Sequence, residues 1–242
     1  MSSNGLIHKW GNPARSNGRA KMNSMIRLVV FDLDGTLVDS SRDLADAVNA
    51  LLTELGARTL SRALVTSMVG EGAAVLVKRA LTAAGLDPDT PHALERFLQH
   101  YDARLLDSTR PYPEMLDTLD RLQLRHRLAV LTNKPGRPTA EILKGLEIDR
   151  LFSDVIGGDS GHGRKPDPAG LLDLVRRAGV TPRETLLVGD SPVDLETSRR
   201  AGTRICLARY GFGYRFEGNG FRGDEYFIDG PAELPAIIGS IG

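Results

Sequence analysis

The chain has 242 residues, 31 basic against 31 acidic side chains, and 41% apolar residues. Balanced charge gives no long-range field for nucleic acid or an anionic membrane surface, and the apolar share suffices for one large domain or a core with an insertion. No apolar run approaches the roughly 20 residues of a membrane helix, no signal-peptide centre is present, and the single cysteine, Cys206, excludes an internal disulfide, so a cytoplasmic setting is expected.

Residues 1–24 are rich in Ser, Asn, Gly and basic groups, hold no acidic residue and show no apolar period, so a mobile tail is expected there. The run Ile26 to Val30 then reads as a buried strand, and it opens directly onto Phe31-Asp32-Leu33-Asp34-Gly35-Thr36. In parallel α/β sheets, ligands sit at the carboxyl ends of the strands. Two carboxylates at such an end can divide labour, one attacking as a nucleophile and the other carrying a proton or helping to hold a metal.

From about Ser40 to Ser108 the pattern is helical. Leu44, Val48, Leu51, Leu52 and Leu55 recur at helical spacing and stop at Gly56; a second run ends at Gly85; a third follows Thr90-Pro91 with Leu94, Phe97, Leu98, Tyr101 and Leu105. Three helices with no intervening strand predict an insertion. From Pro111 onward, helix and strand alternate: a helix after Pro113, then strands at Leu128 to Leu131, Asp154 to Ile156, Thr185 to Val188 and Thr203 to Leu207. That alternation predicts a doubly wound parallel sheet of Rossmann-like type.

Polar residues recur where these strands end. Leu131 leads into Thr132-Asn133-Lys134, whose hydroxyl and backbone amides can donate to phosphate oxygens. The loop Gly161 to Pro168 presents Lys165, a cation suited to neutralise an anion, and Val188 leads into Gly189-Asp190-Ser191-Pro192-Val193-Asp194. Parallel strands would bring Asp32, Asp34, Thr132, Lys165 and Asp190 to one crevice. Crowded carboxylates repel, and all-oxygen ligands without paired Cys or His favour Mg²⁺ over zinc. A phosphoryl group held between that metal and Lys165, in line with Asp32, is the arrangement phosphoryl transfer needs. The histidines His8, His92, His100, His126 and His162 show no ligand spacing.

The ordered set Asp32-Leu33-Asp34-Gly35-Thr36, Thr132, Lys165 and Gly189-Asp190-Ser191 with Asp194 resembles the motifs of the haloacid dehalogenase superfamily, in its phosphoglycolate phosphatase-like branch. The resemblance implies Asp32 as the nucleophile forming an aspartyl phosphate and Asp34 as the general acid and base. It implies Thr132, Asn133 and Lys165 as phosphate-binding groups. Asp190, the Asp32 carboxylate and the Asp34 backbone carbonyl would be metal ligands, and Asp194 would orient Lys165 or a metal-bound water. Residues 25–39 and 109–242 would form the catalytic core and residues 40–108 a helical cap. Within that block Val69 to Leu81 also resembles the branch, which puts Glu71, Lys78 and Arg79 forward as substrate contacts; Arg110-Pro111-Tyr112-Pro113 and Gly211-Phe212-Gly213-Tyr214 resemble it too. The expected reaction is Mg²⁺-dependent hydrolysis of a small phosphorylated metabolite, 2-phosphoglycolate first. A β-phosphoglucomutase-like phosphotransferase shares the motif set, another small-molecule phosphatase of the superfamily would fit it, and a receiver-type signalling module is a distant alternative. Asp34 argues against a dehalogenase, which ordinarily lacks it.

Overall fold

The computed structural model describes residue 1, residues 25–216 and residues 220–241, so the tail expected over residues 1–24 lies, apart from Met1, outside the described residues. The chain begins with β1 (Leu28–Phe31), β2 (Val38–Asp39) and four helices, α1 (Ser41–Glu54), α2 (Arg62–Thr66), α3 (Ala73–Ala84) and α4 (Ala93–Asp102). It continues through β3 (Arg110–Pro111), α5 (Met115–Gln123), β4 (Arg127–Leu131), α6 (Gly136–Gly145), β5 (Asp154–Ile156) and α7 (Ala169–Ala178). Last come β6 (Thr185–Gly189), α8 (Pro192–Ala201), β7 (Arg204–Ala208), β8 (Tyr226–Ile228) and α9 (Leu234–Ser240).

Six strands form one parallel sheet in the order β5-β4-β1-β6-β7-β8. Every residue of β1 is buried because β1 is flanked on both edges and covered on both faces. Side chains alternate faces along each strand. Val29, Phe31, Leu128, Val130, Leu186 and Val188 pack with Met115, Leu119 and Leu122 of α5 and Leu234 and Ile238 of α9. Leu28, Val30, Ala129, Leu131 and Leu187 pack with Leu171, Leu174 and Val175 of α7 and Leu195 of α8. The expected doubly wound sheet is therefore present. From β1 the sheet grows through β4 and β5 on one side and through β6, β7 and β8 on the other, which makes the β1 edge a switch point where such sheets open a crevice. Among the described residues no helix is long and apolar enough to cross a membrane.

The structure adds elements that the periodicity does not predict. The short α2 joins the helical block, and β8 closes one sheet edge with a fully buried residue, Ile228. The strands β2 and β3 pair antiparallel, Val38 with Pro111 and Asp39 with Arg110, so the two ends of the helical block meet at one place. Asp43, buried in the first turn of α1, ties that junction by accepting from the Ser108 N–H (2.9 Å), the Thr109 N–H (2.7 Å) and Thr109 Oγ1 (2.7 Å). Asp43→Ala orphans these donors and should lower stability by at least ~2 kcal/mol, with Asp43→Asn losing less because an acceptor oxygen remains. Urea midpoints at constant m-value check this. Equal midpoints for Asp43→Ala and the parent would remove Asp43 from the junction.

Candidate active site

Asp32 follows the last residue of β1 and Asp190 the last residue of β6, at the switch point, and Thr132 follows β4 next door. The backbone must turn sharply just after Asp34. Gly35 makes that turn at φ +86°, and a Cβ there would lie 2.0 Å from Asp190 Oδ2, so glycine is required by conformation and by space. A Cβ at Gly211 would come 2.3 Å from the Asp190 Cβ, and Gly213 N–H donates to Asp190 Oδ2 at 2.7 Å. The segment Gly211-Phe212-Gly213 is thus a cradle for Asp190.

Lys165, 4% exposed in the loop before α7, reaches Asp32 Oδ1 at 2.8 Å and Asp194 Oδ1 at 2.6 Å. Asp194 is fixed from its other side by the start of α8, where its Oδ2 accepts from Ser191 Oγ at 2.6 Å and Ser191 N at 3.1 Å while Ser191 caps the helix. Burial presses Lys165 toward its neutral form, yet the Asp194 and Asp32 carboxylates outweigh it and raise the pKa above the usual lysine range. For Asp32 the balance is opposite: burial raises its pKa above the usual carboxylate range, Lys165 opposes, and Asp194 adds to the rise. One ammonium serves two carboxylates, so the lysine is amply paired and each carboxylate is not.

Asp190 feels that shortage most. Burial and then the negative charges of Asp194 and Asp32 push its carboxyl well above the usual range, against the Gly213 N–H and Lys165. Oxygen atoms of Asp32, Asp190 and Asp194 all lie within 4.8 Å of one another, and all three residues are buried. An all-oxygen cluster with uncompensated negative charge fits a hard divalent cation: Asp32 keeps Oδ2 without a donor among the described residues, and Asp190 Oδ1 has only the Thr36 hydroxyl at 3.5 Å.

Asp32 Oδ1 accepts from the Leu33 N–H at 2.7 Å as well as from Lys165, while Oδ2 has no donor among the described residues. Asp34, two residues on, turns to a different set of partners: Lys134 Nζ at 2.8 and 2.9 Å and Ser40 Oγ at 2.5 Å. Thr132 Oγ1 accepts from the Lys134 N–H at 3.2 Å, which leaves its own proton for another acceptor. The Asn133 amide donates to the carbonyls of Gly70 (2.9 Å) and Lys165 (3.0 Å) and accepts from the Lys165 N–H (2.7 Å). That side chain is spent on joining the helical block to the lysine loop, which leaves only its backbone for the phosphate contact expected of it.

A cleft between the sheet edge and the helical block contains Asp32, Asp34, Thr132, Asn133, Lys134 and Asp190 in its walls, with Val69, Ala73, Leu76, Phe97, Leu98 and Tyr101 from the block. The expected contacts Glu71, Lys78 and Arg79 are not in those walls. The structure does not bring them to the cleft with Asp32 and Asp190. Leu76, Val77, Ala80 and Leu81 form the buried face of α3, so Lys78 and Arg79 point outward, Lys78 to Asp89 at 2.7 Å and Arg79 to Glu71. Lys134 and Tyr101 are the polar groups that motif reading passes over, and the one sequence signal for Lys134 is its place in the strand-end triplet. The described histidines are engaged elsewhere, His100 with Glu54, His92 with Glu95, His162 with Asp173 and His126 with the Ile26 carbonyl. Burial pushes the Cys206 thiol up to about 12, so it is no nucleophile at neutral pH.

Residues 29–208 match a family model described as haloacid dehalogenase-like hydrolase. The phosphoglycolate phosphatase of Rhodospirillum rubrum is 44% identical over 196 residues, covering 78% of this chain and 81% of that one. The phosphoglycolate phosphatase of Haemophilus influenzae strain 86-028NP is 39% identical over 228 residues, covering 90% of this chain and all of its own length. A crystal structure of a predicted phosphoglycolate phosphatase from Haemophilus somnus 129PT superposes with a TM-score of 0.80 at 34% identity, covering 88% of this chain and 97% of that one.

Proposed function

The chain belongs to the haloacid dehalogenase-like hydrolase family, and on that premise we propose that it is a Mg²⁺-dependent phosphatase of small phosphate monoesters with 2-phosphoglycolate as substrate. One observation carries the reading. Lys165 clamps one oxygen of Asp32 and leaves the other without a donor among the described residues, beside a carboxylate cluster that calls for a cation. A carboxylate held this way is oriented for attack on phosphorus.

Asp32 Oδ2 would attack the phosphorus in line with the ester oxygen, forming an aspartyl phosphate as the P–O bond to the alcohol breaks. Asp34 would give its proton to the departing alkoxide and then take one from the water that hydrolyses the intermediate. Thr132 Oγ1 and Lys165 would donate to the phosphoryl oxygens. Asp194 would act through Lys165, whose Nζ it holds. Asp32, Asp190 and the Asp34 backbone carbonyl would hold Mg²⁺, which supplies charge neutralisation for the phosphoryl group. Residues 40–108 would be a cap over this site, excluding water around the reacting phosphoryl.

A phosphate-release assay over small monoesters, with Mg²⁺ and with chelator, tests this. Release from 2-phosphoglycolate above that from other esters, lost on chelation and restored by Mg²⁺, is expected. Absence of turnover on every ester, or turnover indifferent to chelator, overturns it.

A further inference from the structure

The cleft walls carry three carboxylates, Asp32, Asp34 and Asp190, and among the described residues that line it Lys134 is the one cation. Its Nζ lies 2.8 Å from Asp34 Oδ2 and 2.8 Å from the Tyr101 hydroxyl on α4. Under the function proposed above, Asp34 protonates the departing oxygen, so the alcohol half of the ester sits beside this ammonium. The block's remaining side chains in the cleft wall, such as Val69, Ala73, Leu76 and Leu98, are apolar and offer that half nothing polar.

Tyr101 supplies the second observation. Its oxygen accepts from Lys134, so its own proton points elsewhere, and no acceptor for it stands among the described residues. A buried O–H without an acceptor is costly, and this one belongs to a residue in the cleft wall that is 3% exposed. Burial pushes the phenol up to about 12 despite Lys134, so the proton stays on the oxygen at neutral pH. The ring is held in place by stacking on Phe97 at 5.9 Å between centroids and 5° between planes, with the Lys134 ammonium 4.6 Å from its own centroid. The donor is therefore preorganised, polarised by a cation and awaiting an acceptor from the ligand.

We infer that Tyr101 and Lys134 form a specificity subsite for a carboxylate on the alcohol half of the substrate, Tyr101 donating its O–H to a carboxylate oxygen and Lys134 supplying the countercharge. The inference rests on the phosphatase reading and adds to it the group that selects an acidic ester over a neutral one. It also moves substrate recognition from α3, where charged side chains face outward, to α4 and the loop after β4.

The test compares kcat/KM for 2-phosphoglycolate with that for ethyl phosphate, which carries a methyl in place of the carboxylate, and for 2-hydroxyethyl phosphate. Tyr101→Phe keeps the stacked ring and removes only the hydroxyl, so folding is not at stake. The ratio of 2-phosphoglycolate to ethyl phosphate should fall about 10- to 100-fold, the range for a hydrogen bond to a charged group, with KM for 2-phosphoglycolate taking most of the loss. An unchanged ratio, including an equal loss on both esters, overturns the subsite and leaves Tyr101 acting only through Lys134. A fall for 2-hydroxyethyl phosphate as large as for 2-phosphoglycolate overturns the carboxylate assignment in favour of a hydroxyl. A parent enzyme that turns over esters with no preference for 2-phosphoglycolate sinks the substrate reading together with the subsite, whereas a preference that survives in Tyr101→Phe sinks the subsite alone.

Discussion

Asp32→Asn should reduce phosphate release by about 10⁴-fold or more while leaving the fold and its thermal stability intact. An amide oxygen is too poor a nucleophile to displace an alkoxide from phosphorus, and no other carboxylate can take its place. Asp34 is turned toward Lys134 and Ser40, and Asp194 spends both oxygens on Lys165 and Ser191. The stability half of the expectation follows from the charge balance. The Asp32 carboxyl is raised in the folded chain by burial, with Lys165 opposing and Asp194 adding to the rise, so above the usual carboxylate range its ionised form is less stable there than in the unfolded chain. A neutral amide removes that deficit, still accepts from the Leu33 N–H, and leaves Lys165 with Asp194. In chelator at pH 8 the variant should therefore melt no lower than the parent. Mass spectrometry must verify that residue 32 has not deamidated, after which parent-like turnover would take Asp32 out of the mechanism.

Much of this site is legible in the sequence because buried parallel strands are short and nearly all apolar, so their ends are marked by abrupt polar residues. Asp32, Thr132 and Asp190 each follow such an end, and parallel order alone brings them together. What escapes is whatever depends on pairing across the chain. β2 and β3 are two residues each and exist only because they meet each other, and β8 is three residues on an edge where one face is half covered. Lys134 has no assigned role in the strand-end triplet until α4 delivers Tyr101, 33 residues away, and the first loop delivers Asp34, 100 residues away. The outward direction of Lys78 and Arg79 is legible in a different way. Leu76, Val77, Ala80 and Leu81 already define the inward stripe of α3, and residues 78 and 79 fall opposite it, so the helical period alone places them on the outer face.

Lys165→Met should damage stability and turnover together, where Asp32→Asn damages turnover alone. The Nζ is the shared partner of Asp32 and Asp194 inside a cluster that already holds Asp190, and its side chain is 2% exposed. A thioether of similar length fills the space but leaves two buried carboxylates without their cation. Breaking a buried pair in this way costs about 3–5 kcal/mol, or roughly 6–20 °C in Tm for a chain of this size. Turnover should fall by at least ~10³-fold, since the phosphoryl group loses a positive donor and Asp32 loses the hold on Oδ1 that aims its other oxygen. Lys165→Arg should rescue little, because a planar fork cannot place one nitrogen 2.8 Å from Asp32 and 2.6 Å from Asp194 in a site shaped around a single Nζ. The two losses separate in the double variant Lys165→Met with Asp194→Asn. Removing one uncompensated carboxylate should recover several degrees of Tm, since the amide oxygen introduced by Asp194→Asn can still accept from Ser191, while turnover stays at the level of the single variant. Thermal melts and phosphate release on the same preparations decide it: a Tm for Lys165→Met indistinguishable from that of the parent would mean that the lysine does not hold the cluster together, and parent-like turnover would mean that it does not hold the phosphoryl group.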